Sequence, residues 1–269
     1  MADKDPNNSY LEALRSFDNA VSDAVRISRA AAGRQTETKT WWACTLFTRL
    51  CTMSISVLAL APGSRFAGNA HHNFDSGSVS SLTRNMTECY MMFFYFCADN
   101  VSEDEWQSRL NVLQLHDCVS RLKMFRDFDP QDPQLPSFES QANALRDKLK
   151  KRSYFSSLTE RQKKHFLSGD HALLLNQNEI LRKLGVEENQ FRAQYRFLSS
   201  QTHSLPLSFS RMGEREQGRG TESEIEKGYI IMALAIAEDA LKRATKDMVA
   251  IFPDIPLEID KLTYVAGAP

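Results

Sequence analysis

Residues Ser78–Asp99 read SVSSLTRNMTECYMMFFYFCAD, and this stretch decides the architecture. Its second half, CYMMFFYFCA, shows no polar stripe, and a helix that is apolar all round must be enclosed by other helices. In its first half Ser81, Arg84 and Glu88 recur at i, i+3 and i+7, which lines them along one face. Arg84 and Glu88 are spaced to pair across one turn. The spacing therefore predicts a central helix with a polar line leading into the core.

Working outward, the pattern is helical nearly throughout. Ser9–Ala32 carries Leu11, Leu14, Phe17, Val21, Val25 and Ile27 at helical spacing and stops at Gly33. A second helix runs from about Glu37 to Ala61 and ends at Pro62-Gly63, before residues of loop composition at 62–77. Glu103–Phe128 is amphipathic, with Ser102 and Glu105 as a capping box. The proline-rich 129–137 closes it, and Ser137 caps a short charged helix at 138–151. Short helices are expected at 159–167 and 177–184, then a helix over 187–204. A mobile loop is expected at 213–220, and Thr221 and Glu224 cap a final helix to Ala250. No repeat and no alternating strand pair is found. The expected fold is all-α: one multi-helix, bundle-like domain with a core from 9–128 and 187–250. A charged helical insertion at 129–186 and an irregular tail at 251–269 complete it.

The stretch Phe191–Phe209, FRAQYRFLSSQTHSLPLSF, carries the second polar line. Arg192, Arg196, Ser199 and His203 fall at i, i+4, i+7 and i+11, while Tyr195, Leu198 and Thr202 occupy a neighbouring face. Pro206 ends the helix. Arg196 and His203 lie about 10 Å apart along the axis, so long side chains in one groove reach the same phosphodiester. There His203 serves as general base or acid and Arg196 stabilises developing charge. The structural reading is that Arg196 pairs with an acid such as Glu88 while His203 caps its own helix. Arg84 and Glu88 likewise read either as a register-fixing ion pair or as the wall of an anion-binding cleft.

Weaker candidates are His71-His72 with Asp75 in a loop, and His116-Asp117 on an amphipathic helix with Arg121 one turn on. Glu238-Asp239 is expected to pair with Arg192 or Arg84. The basic run Lys148, Lys150, Lys151, Arg152, Arg161, Lys163 and Lys164 reads as a solvated face. No phosphate loop, dinucleotide fingerprint, nucleophile elbow or zinc-protease motif occurs.

The formal net charge is −1, from 33 basic and 34 acidic side chains. That excludes a surface built wholly to attract nucleic acid and leaves local patches open. The cysteines 44, 51, 89, 97 and 118 form no ligand spacing and read as buried free thiols of a reducing compartment. The first forty residues are polar and charged, which reads as no secretory leader. Trp41–Ala61 nearly spans a bilayer, but Arg49, Thr45, Thr48, Thr52, Ser54 and Ser56 read better as a helix within a soluble bundle. A cytoplasmic protein with no membrane partner is expected.

The block YRFLSSQTHSLP, preceded upstream by LTRNMTECYMMFFYF, resembles an uncharacterised bacterial family of all-helical proteins grouped with the HEPN superfamily, over about residues 37–250. In that superfamily an arginine, four to six intervening residues and a histidine stand near a helix end. Here Arg196 is followed by Phe197, where the family usually has a polar residue. The resemblance implies a metal-independent endoribonuclease or RNA-binding protein of defence or stress, acting as a homodimer without cofactor or metal. It implicates Arg196 and His203 as catalytic, with Arg84 and Glu88 in support; Ser199 and Arg192 join from the polar line. Inactive relatives imply the competing expectation: a non-catalytic interaction or regulatory protein, with a protein partner and a structural Arg/Glu/His network. A third reading is a small-ligand pocket lined by Met91, Met92, Phe93 and Tyr95.

Overall fold

The computed structural model describes residues 6–68, 73–203, 205–210 and 218–255. Its regular elements are helical, and the only β-bridge among the described residues joins Phe74 to Gly220. The helices are α1 (Pro6–Ala31), α2 (Thr38–Leu60), α3 (Ser76–Phe93), α4 (Glu103–Phe128), α5 (Leu135–Lys150) and α6 (Ser153–Ser156). They continue as α7 (Glu160–Leu167), α8 (Gln177–Leu184), α9 (Glu188–Thr202), α10 (Pro206–Phe209) and α11 (Glu224–Ile251). Two compact units result, one from residues 1–98 with 187–269 and one from 99–186.

In the first unit α3 packs against α2, α9 and α11, and α11 also covers α1. Alanines 233, 237, 240 and 244 of α11 are buried at spacings of four and three. Such small side chains on one stripe let neighbouring helices approach closely. Phe17, Val21, Ala24 and Ile27 of α1 and Phe47, Leu50, Val57 and Leu58 of α2 are fully buried. The Phe47 and Phe93 rings meet at 6.1 Å, and each large buried side chain contributes about 1.5–3 kcal/mol.

The apolar half of the deciding stretch is core, as its composition requires. After Phe93 the helix widens into a π-turn over Phe94–Ala98, whose neighbours Tyr95 and Phe96 pack edge to face at 4.8 Å. Met91, Phe93 and Tyr95 are buried, so the small-ligand reading of these side chains gives way to packing. Helix α2 is the one described helix long and apolar enough to cross a bilayer by composition. Ala43, Phe47, Leu50, Cys51, Ser54, Val57 and Leu58 are its buried face, and Arg49 is exposed.

Two expected helix caps are displaced. Ser223, not Thr221, caps α11: its oxygen accepts the Glu226 N–H at 3.2 Å. Helix α5 begins at Leu135, ahead of Ser137, because Pro136 suits a first turn whose N–H groups are unpaired anyway. Ser102 does cap α4, accepting the Glu105 N–H at 3.2 Å.

In the second unit α4 packs mainly on α5, with further contacts to α6 and α7. Val112, Leu115, Cys118 and Val119 of α4 share a core with Ala142, Leu145, Leu149, Phe155 and Phe166. Thus the segment read as a charged insertion brings its own apolar face, and α4 is the helix it covers. Capping boxes start α7 (Thr159 with Gln162) and α8 (Asn176 with Glu179). Arg109 is fully buried and donates to Asp99 at 2.8 Å and Glu105 at 2.6 Å. Lys183 reaches both Asp99 oxygens at 3.0 and 2.9 Å.

Gly169 sits at φ +82°, and a Cβ there would fall 2.4 Å from Val119 Cγ2. Gly169→Ala is expected to cost about 2 kcal/mol from backbone strain and overpacking together. Chemical denaturation checks this, and an unchanged midpoint would refute the packing described.

Candidate functional site

Helix α9 sorts its residues by face. Phe191 and Leu198 are buried and Tyr195 is half-buried, whereas Arg192, Arg196 and His203 are exposed. Glu187 caps the helix by accepting the Asn189 and Gln190 N–H groups at 3.0 and 2.6 Å. Those two bonds hold its carboxyl below the usual range. At the other end His203 is the C-cap, its N–H donating to the Ser199 carbonyl at 3.1 Å. Pro206 then opens α10, so the proline does stop α9.

The two polar lines meet through a residue that spacing alone assigned to another face. The Tyr195 hydroxyl donates to Glu88 at 2.5 Å and accepts from Arg84 at 2.8 Å. Arg84 also pairs with Glu88 at 2.9 Å, closing a triangle between α3 and α9. The guanidinium lies 5.0 Å from the Tyr195 ring centroid, and Phe191 stacks behind that ring at 5.6 Å. Burial and donation to Glu88 push the Tyr195 hydroxyl up from its ordinary value. The Arg84 side chain is 17% exposed and Glu88 is 42% exposed. The triangle is therefore a half-buried clasp for α9, and Tyr195 is the member that the one-dimensional pattern missed.

Tyr195→Phe keeps the ring and removes both bonds, so a loss of about 1 kcal/mol is expected by denaturation. A hydroxyl whose folded value is raised stabilises the fold below the unfolded value near 10, and that contribution disappears as pH rises through the folded value. The variant should therefore show a shallower alkaline loss of stability than the wild type. Identical profiles would remove the clasp role.

Neither Arg196 nor His203 has a side-chain ionic or hydrogen-bonding partner among the described residues. The expected pairing of Arg196 with Glu88 is not made, because Tyr195 and Arg84 occupy that carboxylate. Arg192 pairs along its own helix with Glu188 at 2.8 Å. The Ser199 hydroxyl oxygen is buried without a hydrogen-bond partner, so it is turned away from the open face. Glu238 and Asp239 do not reach Arg192 or Arg84. Glu238 binds Ser16 and Lys242, and Asp239 binds Arg243, because α11 presents both acids toward α1 or along its own turns.

His71 and His72 lie outside the described residues, and Asp75 is the N-cap of α3. His116 Nδ1 meets the Gly169 carbonyl at 2.9 Å, a structural contact, and Asp117 pairs with Arg121 at 2.9 Å. No group of three His, Cys, Asp or Glu side chains is placed to hold a metal among the described residues. The cysteines are free, and all but Cys44 are buried. Burial pushes the Cys51 and Cys97 thiols up to about 12 and that of Cys89 to about 11.

Residues 40–220 match the model of a family described as a family of unknown function, DUF5677. No curated protein and no solved structure matches the chain.

Proposed function

The chain belongs to the DUF5677 family, and since that membership carries no activity, we propose from the site itself an RNA-binding or RNA-cleaving protein of HEPN-like type. One observation carries this reading. Arg196 and His203 stand exposed on one face at the end of α9, while the clasp to α3 is made by Tyr195, Arg84 and Glu88. The fold thus has no evident use for the two side chains best suited to a phosphodiester.

In the proposed reaction His203 takes the proton of a ribose 2′-OH as its oxygen attacks the adjacent phosphorus. The bond from phosphorus to the 5′ oxygen breaks, that oxygen takes a proton from solvent water, and His203 returns the proton it took to solvent. A 2′,3′-cyclic phosphate and a 5′-hydroxyl result. Arg196 braces the charge that builds on the phosphoryl oxygens. A homodimer facing two such pairs across one groove, in the cytoplasm, belongs to the same proposal. Cleavage of single-stranded RNA in EDTA by the wild type and by His203→Ala tests it; equal rates would sink it.

The second reading is a non-catalytic interaction protein, favoured by the closed Arg84–Glu88–Tyr195 triangle. On this reading Arg196 and His203 contact a protein partner. His203→Ala then weakens a complex with no RNA cleavage to lose.

A further inference from the structure

A cleft of about 320 Å³ opens in the first unit between the start of α3, the last turn of α9, α10 and the start of α11. Its deepest polar group is Glu226, 1% exposed. One carboxylate oxygen accepts the Ser76 N–H at 3.2 Å and the other the Gly218 N–H at 2.5 Å. No cation pairs with it among the described residues: its neighbour Lys227 is engaged with Glu222 and Glu224. A buried carboxylate held only by neutral donors lacks the charge partner that burial normally demands.

The rest of the wall has matching chemistry. Asp75 contributes a second carboxylate. Three of its four serine hydroxyls have their single proton already committed: Ser78 to Asp75 at 2.5 Å, Ser81 to the Gly77 carbonyl at 2.9 Å, Ser208 to the Leu205 carbonyl at 2.8 Å. What these hydroxyls can still offer is lone pairs. Two rings, Tyr229 and the half-exposed Phe209, line it as well, and among the described residues no lysine or arginine does. Two carboxylates beside aromatic faces disfavour a phosphate or carboxylate ligand and favour a cation rich in N–H groups.

We propose that this cleft binds an organic ammonium group, with Glu226 and Asp75 as its counter-charges and Tyr229 and Phe209 as its aromatic wall. The group arrives either as a free polyamine or as the lysine side chain of a protein partner. Gln201 of α9 lines the same cleft and lies two residues before His203, so an occupant braces the helix end that carries the exposed histidine. The site is independent of RNA cleavage.

Calorimetry and thermal shift on the full chain test this with spermidine in one arm and Nα-acetyl-lysine amide in another. Sodium and magnesium chloride at matched ionic strength serve as controls. Binding of spermidine beyond the salt response assigns a free polyamine, and binding of the lysine amide alone assigns a protein side chain. Glu226→Gln should weaken either by roughly tenfold or more. Because Glu226 also holds two backbone amides, Gln201→Lys provides a second variant that leaves them intact. Its tethered ammonium should fill the cleft and abolish the spermidine response. A response reproduced by salt alone, no response to either amine, or a folded Gln201→Lys protein that binds like the wild type would overturn the proposal.

Discussion

His203→Ala is expected to lower metal-free RNA cleavage by about 10²- to 10⁴-fold, the usual contribution of a positioned general acid or base. Thermal stability should hardly move. The His203 side chain is exposed, and its structural contact, the N–H bond to the Ser199 carbonyl, is made by the backbone and survives the substitution. Arg196→Ala should cost about 10²- to 10³-fold by removing a charge that acts on the transition state. Tyr195→Phe separates this effect from the clasp, since it lowers stability without touching the open face. Product analysis adds a further check, because attack by the 2′-OH leaves a cyclic phosphate. A wild-type protein that leaves RNA intact in EDTA would end the catalytic reading and favour the interaction protein.

Arg109→Ala should produce the largest loss of stability, about 3–5 kcal/mol, because it strips the cation from two acids packed around it. Asp99 and Glu105 are 9% and 19% exposed in their side chains, so water replaces little of what is lost. The exposed pair Arg126–Glu139, at 52% exposure on each side, is the internal control: Arg126→Ala should change stability by less than about 1 kcal/mol. The same network has a pH signature. Burial pushes the Asp99 carboxyl up, but the bonds and charges of Lys183 and Arg109 outweigh it, and the net displacement is downward. A carboxyl depressed in the folded state stabilises above its unfolded value near 3.9, and this is lost as pH falls through the folded value. Acid denaturation below about pH 4 should therefore be less steep in Asp99→Asn. Equal denaturation midpoints for Arg109→Ala and Arg126→Ala would contradict the burial described.

Helix positions were readable wherever the apolar period was unbroken, as in α1, α3 and α4, and where side chains could cap, as at Ser102. They slipped at α11, where Thr221 and Ser223 offer equal capping chemistry and only the path of the incoming chain selects one, and at α5, where Pro136 opens the helix ahead of Ser137 with no side-chain cap. The extent of the second unit was obscured because α5 and α7 show short apolar faces within charged sequence. Leu145, Leu149 and Phe166 become a core only once α4 lies across them. Arg109 was passed over for the same reason: an arginine on an amphipathic helix looks solvated until its partners close around it.

The sequence by itself determined an all-helical chain, because its apolar period is 3.6 nearly throughout and its longest apolar run must be enclosed. It also determined that Arg192, Arg196 and His203 share one face of α9, since that follows from helical pitch. Only the tertiary structure decided which polar side chains meet. Tyr195 rather than Arg196 takes Glu88, because the packing of Phe191 and Leu198 rolls α9 until its tyrosine faces α3. Helical pitch places residues on faces, but the burial of apolar side chains chooses which face turns inward.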